Sequence, residues 1–231
     1  MDESHLRRSW DFATPDAQKW HIRVLAAIAA QIGNEHWGDA LEIGCSEGIF
    51  TSYLAGHCRS IIAYDISPIA RDRAVERCAQ YPNVRIGLLD LASDEIQGQY
   101  DLVFAMDVLS CIRGHKRLAK ATNKLVSALR EGGVLIYTDN STPLEVLRSW
   151  GSRRWWSPFL AMMEPDDCVR FLQSRFPLQL VSREQYLHDP EGGRDQLIAL
   201  LQKSPAADRN TRLETRKSPI AGAAPPVRYP E

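Results

Sequence analysis

The run Leu41-Glu42-Ile43-Gly44-Cys45-Ser46-Glu47-Gly48-Ile49-Phe50 concentrates the residues able to do chemistry in this 231-residue chain. Gly44 and Gly48 stand between a strand-like apolar run and a helix-like stretch, where a missing Cβ lets the backbone turn tightly and approach a ligand. The N-terminus of the following helix would offer free N–H groups to an anion or carboxylate. Asp65 closes the next apolar run, 21 residues after Gly44, where a carboxylate can accept both hydroxyls of a ribose. Plainer roles fit the same residues: a strand-to-helix turn for the glycines, and a helix cap ahead of Ser67-Pro68 for Asp65. Strand, Glu-x-Gly-x-x-x-Gly, helix, strand and terminal acid in one order carry more weight than either glycine alone.

Such a loop has to be held by a sheet, and the surrounding pattern predicts one. Pro15 opens a helix with a broad apolar face that ends at Gly33-Asn34. Short apolar runs at 40–44, 60–65, 84–91, 100–109 and 132–140 then alternate with helical stretches at 50–57, 68–80 and 116–130. That alternation predicts an α/β domain with a Rossmann-like, doubly wound, mainly parallel sheet of seven strands and helices on both faces. A helix at 165–175 and strands at 178–187 and 196–203 complete it. Residues 141–164, with Trp150, Trp155, Trp156, Arg148, Arg153 and Arg154, read as a cap insertion after the fifth strand. Residues 1–14 read as an N-terminal lid segment and 15–203 as the domain. Residues 204–231, with five of the thirteen prolines, read as a disordered tail.

LEIGCSEGIF, the acid in AYDIS, the Asp in GLLDL, DLVFAMDVL and the GGVLIY strand together resemble the ordered motifs of class I S-adenosylmethionine-dependent methyltransferases. Ser46 departs from that pattern, which usually has a central glycine there. Within the class the chain is similar to the nodulation protein S group. The similarity rests on SWDFATPDAQKWH, on the form of the cofactor loop and on LRSWG at 147–151. The resemblance implies a methyltransferase using S-adenosyl-L-methionine, in a group that N-methylates a deacetylated chitooligosaccharide. DVLSCI, where the group tends to carry a glutamate and two tyrosines, separates the cofactor assignment from the substrate assignment. By resemblance, Gly44, Cys45, Ser46 and Gly48 form the floor under the methionine portion, and Glu42 orients the loop and water near the ammonium group. Asp65 binds the ribose hydroxyls and Ile66 lies against the adenine. Asp90 accepts from the adenine amine, Leu91 packs on the ring and Met106 lines the methionine arm. Asp90 also fits an ordinary strand-ending acid, and Ile66 and Met106 also fit plain core.

Methyl transfer from a sulfonium is an in-line displacement with an activated leaving group, so alignment and water exclusion are the main tasks. Asp107 and His115 follow the fourth strand, at the carboxyl edge where open α/β sheets hold ligands. Asp107 is expected to orient the acceptor; His115 is the weaker candidate for catalysis, since it also fits a solvated helix start. Trp10 is a candidate lid over the cofactor, and equally a tether for the N-terminal segment. The Trp and Arg cluster of the insertion is expected over the acceptor, a small molecule or saccharide methylated at nitrogen or oxygen.

Composition narrows the class. Twenty-eight basic against 29 acidic residues give a net charge of −1, which argues against nucleic acid or an anionic membrane as partner. No apolar run reaches the roughly 18 to 20 residues of a bilayer span, and the acidic N-terminus does not resemble a secretory signal. Cys45, Cys58, Cys78, Cys111 and Cys168 have neither disulfide-framework nor zinc spacing and read as free thiols, implying a cytoplasmic protein with no metal site. A nicotinamide-dependent oxidoreductase is the first rival, but the Gly-x-Gly-x-x-Gly form is absent. A non-catalytic cofactor-binding subunit is the second, and an RNA methyltransferase, lacking a basic appendage, the third.

Overall fold

In a computed structural model of the chain, the alternating runs form one seven-stranded sheet. The structure describes residues 15–33, 36–112, 115–141, 169, 172–189 and 194–205. The elements are α1 (Pro15–Ile32), β1 (Trp37–Ile43), α2 (Ile49–Leu54), β2 (Cys58–Asp65), α3 (Pro68–Cys78), β3 (Val84–Leu88) and β4 (Tyr100–Met106). A 3-10 turn at Leu109–Cys111, α4 (His115–Ser127), β5 (Leu129–Ser141), β6 (Leu178–Asp189) and β7 (Arg194–Lys203) follow. The strand order is β3-β2-β1-β4-β5-β7-β6; the first five strands are parallel, and β7 runs antiparallel between β5 and β6. The chain winds outward from β1 to β3, then crosses back to β4 on the other side of β1. The crevice between β1 and β4 is therefore the switch point, where open sheets receive ligands beyond the carboxyl ends of the strands.

Burial follows the two-residue period of the strands. Ala40 faces Val24, Ile28 and Ile32 of α1, Leu54 of α2 and Ala74 of α3 in one apolar cluster. Leu41 and Ile43 face Leu118, Ala121 and Leu125 of α4 in the other. Two covered faces explain why the central strands read as continuous apolar runs.

Three boundaries differ from the sequence expectation. α2 ends at Leu54 rather than 57, because the chain must turn to pair Cys58 with Trp37 and His57 O accepts the Trp37 N–H. β3 ends at Leu88 rather than 91, since a turn begins at Asp90, whose carbonyl accepts the Ser93 and Asp94 N–H groups. α4 ends at Ser127 rather than 130, because Leu129 pairs with Tyr100 as β5 begins. Arg130 there bonds Asp101 at 2.6 Å and Asp39 at 2.9 Å. Asp39 is also held by Arg59 and Ser60, and these partners keep its carboxyl well below the usual range. This ion cluster ties β1, β2, β4 and β5 at their amino ends, opposite the glycine loop. Ser204, expected to start the tail, is buried, with its N–H bonded to Pro177 O at 2.8 Å. The lid segment 1–14, residues 142–164 of the cap and residues 206–231 of the tail lie outside the described residues.

Candidate cofactor site

The loop after β1 owes its path to left-handed backbone at three positions: Gly44 (φ 80°), Ser46 (φ 48°) and Gly48 (φ 78°). Tyr64 O accepts the N–H groups of Gly44 and Cys45 at 2.8 and 3.1 Å, so β2 holds the start of the loop. A Cβ on Gly44 would come 2.4 Å from Val108 Cγ2, and one on Gly48 would come 3.1 Å from Ala74 and Cys78 Sγ of α3. Helix α3 also grips Glu47: the Arg73 guanidinium pairs with its carboxylate, and Arg77 Nε donates to its carbonyl at 2.9 Å. α2 has only six residues, and the Gly48 N–H at its start donates to Cys45 O. The helix terminus expected to greet an anion is therefore too short to act as one.

Asp65 lies at the carboxyl end of β2 and is 9% exposed. Its Oδ2 accepts the Ser46 N–H and its Oδ1 the Ser67 N–H, each at 2.8 Å. Ser67, not Asp65, caps α3, with Oγ accepting the Ala70 N–H at 3.4 Å. Each carboxylate oxygen can accept more than one bond, so Asp65 fixes the loop and keeps acceptor capacity toward the crevice. Ile66 is exposed, and so is Leu88, which pairs with Asp65 across β2 and β3. Asp90 is half-buried, its Oδ1 accepting the Ala92 N–H at 2.9 Å. Leu91 sits in the core against the α4 face.

Beneath the loop, Glu42 is 1% exposed and its Oε2 has no hydrogen-bond partner among the described residues. Burial pushes its carboxyl from 4.5 up to about 7; the Thr51 hydroxyl opposes that rise and the Asp65 charge adds to it. Thr51 lies close enough for that effect, yet its Oγ1 also lacks a well-formed bond. Burial likewise pushes the Cys78 thiol up to about 11, Cys58 up to about 12, and Cys45 higher still. All three remain protonated as small apolar packing groups. No three His, Cys, Asp or Glu side chains among the described residues converge as a metal site.

Across the crevice, Met106 is largely buried in the α1–α3 cluster. Asp107 also takes the left-handed region (φ 51°). Its N–H donates to Thr138 O at 3.2 Å, and Thr138 Oγ1 donates to its Oδ1 at 3.5 Å. His115 opens α4, but its side chain lies outside the described residues, as does Trp10. The structure thus gathers Glu42, Gly44, Cys45, Ser46, Gly48, Asp65, Ile66, Asp90, Met106 and Asp107 at the carboxyl ends of β1 to β4, and sets Leu91 below them. Leu88, Val108 and Thr51 escaped the sequence reading. Leu88 reads as one more apolar strand residue, and nothing in the local pattern marks the other two.

The chain matches the nodulation protein S (NodS) family over residues 3–167. It belongs to that family. It is 30% identical to nodulation protein S of Rhizobium tropici over 125 residues, which is 53% of this chain and 50% of that protein. The chain thus spans about half the length of that relative. Among solved structures, it is similar to N-methyltransferase NodS from Bradyrhizobium japonicum in complex with S-adenosyl-L-homocysteine. The TM-score is 0.68 at 23% identity, covering 88% of this chain and 96% of that one. It also resembles DhpI in its S-adenosylhomocysteine complex, with a TM-score of 0.65 at 22% identity, covering 87% and 91%. These likenesses agree on the methyltransferase fold.

Proposed function

We propose that this chain is an S-adenosylmethionine-dependent methyltransferase acting on a nitrogen of a small molecule or saccharide. One observation carries the proposal: the loop of a NodS-family chain is bent left-handed at Gly44, Ser46 and Gly48 and is tied through Ser46 to an acid on the neighbouring strand. The residues present suit the cofactor. Gly44 lets the loop turn close against Val108 where a Cβ would collide, Glu42 supplies a buried carboxyl oxygen unpartnered among the described residues, and Ile66 and Leu88 offer exposed apolar surface beside Asp65.

In this reading the cofactor supplies a methyl group already activated on a sulfonium. The chain's own task would be to align that methyl with the lone pair of the acceptor nitrogen and to exclude water. Gly44 to Gly48 support the methionine portion, with Cys45 and Ser46 contributing backbone. Asp65 receives the ribose hydroxyls on its remaining lone pairs. Ile66 and Leu88 flank the adenine, and Asp90 accepts from its amine. Leu91 acts from beneath, supporting the turn that bears Asp90. Glu42 balances the positive charge of the ligand. Met106 lines the crevice. Asp107, with its backbone set by Thr138, orients the acceptor. The cover we expect from Trp10 over the cofactor and from the 141–164 cap over the acceptor falls on residues outside those described, as does the side chain of His115, the further candidate for handling the proton.

Nitrogen is favoured over oxygen because the Bradyrhizobium japonicum relative is an N-methyltransferase, and an amine needs less base assistance than a hydroxyl. A saccharide acceptor is what the resemblance to the nodulation protein S group implies. Among the described residues no helix is long and apolar enough to cross a membrane.

Two measurements test the proposal. Calorimetry should detect S-adenosylhomocysteine binding to the full chain. Labelled-methyl transfer should then be seen with amino sugars or chitooligosaccharides bearing a free amine, and be lost when that amine is acetylated. Incorporation only into RNA or protein would overturn the acceptor class; no cofactor binding would overturn the reading altogether.

A further inference from the structure

The β3–β4 crossover carries Asp90 but has no helix of its own; residues 89–99 form turns and irregular chain. Asp90 sits in a closed turn. Its carbonyl accepts the Ser93 and Asp94 N–H groups at 3.0 and 2.7 Å, its Oδ1 accepts from Ala92, and its own N–H donates to Asp94 Oδ2 at 2.8 Å. Those bonds shape the turn but do not place it on the domain.

Placement comes from α4. Lys124 is 6% exposed, and its Nζ donates to Leu91 O at 3.1 Å and to Asp94 O, with the Glu95 carboxylate 3.7 Å away. Burying an ammonium is costly unless its protons find partners, and an apolar side chain would pack beside Ala121 and Leu125 without that cost. The ammonium instead spends its donors on two main-chain carbonyls that bracket the turn, one on each side of Ala92-Ser93. Leu89 and Leu91 pack into the same core as α4, so the polar and apolar anchors act on the same short segment.

We infer that Lys124 is a positioning residue that sets the Asp90 turn at the height needed to read the 6-amino group of the adenine. This rests on the methyltransferase reading. It makes adenine recognition depend on a side chain of α4, on the β4–β5 connection, with no contact to the ligand.

The test uses the full chain and two ligands: S-adenosylhomocysteine and its inosine analogue, in which a carbonyl replaces the 6-amino group. The parent should prefer the adenine ligand at least tenfold. Lys124→Met should weaken the adenine ligand about tenfold and the inosine ligand less than twofold. In an Asp90→Ala background the same substitution should change neither more than twofold. Without ligand, amide exchange at Ser93 and Asp94 should accelerate in Lys124→Met while β2 amides stay protected. Should Lys124→Met fail to fold, Lys124→Gln, too short to span both carbonyls, is read by the same criteria. Undiminished preference for adenine, or an equal loss for both ligands, would overturn the inference while leaving the methyltransferase reading intact. A parent that binds neither ligand would overturn both.

Discussion

Replacing Glu42 by Gln should stabilise the unliganded protein at alkaline pH and confer little advantage in acid. The carboxyl is 1% exposed, Oε2 is unpartnered among the described residues, and burial raises its pKa from 4.5 to about 7. Because the folded value lies above the unfolded one, the native state holds this proton more tightly. The resulting stabilisation is complete below about pH 4.5 and is lost as pH rises through about 7. Each tenfold difference in proton affinity is worth about 1.4 kcal/mol, so ionising Glu42 in place costs on the order of 3 kcal/mol by pH 8 to 9. Gln stays neutral throughout. Its stability advantage over the parent should therefore grow by roughly 2 to 3 kcal/mol between pH 5 and 8.5. Urea unfolding of both proteins across that range, with matched m-values, measures the difference directly. Carboxylates such as Asp39 and Asp101, lowered in the fold by their arginine partners, contribute equally to both and cancel. A difference that stays flat with pH would show Glu42 to be solvated or already ionised, and the reasoning would fail.

Three further outcomes follow from the same geometry. S-adenosylmethionine binding near pH 6 should release protons, because a cation beside Glu42 favours the carboxylate; calorimetry in buffers of different ionisation heat should detect the release, and Glu42→Gln should abolish it. Asp65→Ala strands the Ser46 and Ser67 N–H groups; with bonds to charged groups worth about 1.5–3 kcal/mol each, it should cost about 3–6 kcal/mol in denaturant and weaken S-adenosylhomocysteine at least a hundredfold, whereas unchanged affinity would leave Asp65 only a strap for the loop. Ser46→Gly removes left-handed strain of about 1–2 kcal/mol at an entropic cost of about 0.5–1 kcal/mol, so stability should hold or rise by up to about 1.5 kcal/mol with cofactor affinity retained; a clear loss in the urea midpoint would show that the Ser46 side chain matters.

The fold was legible because its cause is local. A parallel sheet covered on both faces needs continuous apolar runs separated by amphipathic stretches, and β1, β2, β4 and β5 carry them. What escaped was set by partners distant in sequence. LVSALR keeps a helical period through Arg130, but Arg130 bonds Asp39 at a separation of 91 residues and Leu129 pairs with Tyr100, drawing the segment into β5. β3 stops at Leu88 because the Asp90 carbonyl gathers the Ser93 and Asp94 N–H groups into a turn, which the apolar run Leu88, Leu89 and Leu91 conceals.

The site was legible where residue type is itself unusual, at glycines between a strand and a helix and at acids ending strands. Thr51, Leu88 and Val108 have no such mark, and their relevance lies in what they face. Ser46 joins the two cases. A serine where the family pattern has glycine could mean that the loop takes another path. Its φ of 48° shows that the left-handed bend is kept. The loop is gripped by Tyr64 O and Asp65 on β2 and by Arg73 and Arg77 on α3. The 2.8 Å bond from the Ser46 N–H to the Asp65 carboxylate, worth about 1.5–3 kcal/mol, offsets a strain of about 1–2 kcal/mol. The path of this loop therefore rests on its neighbours more than on glycine freedom, and that is why the motif tolerates the departure at its centre while Gly44 and Gly48, hemmed in by Val108 and Ala74, remain glycine.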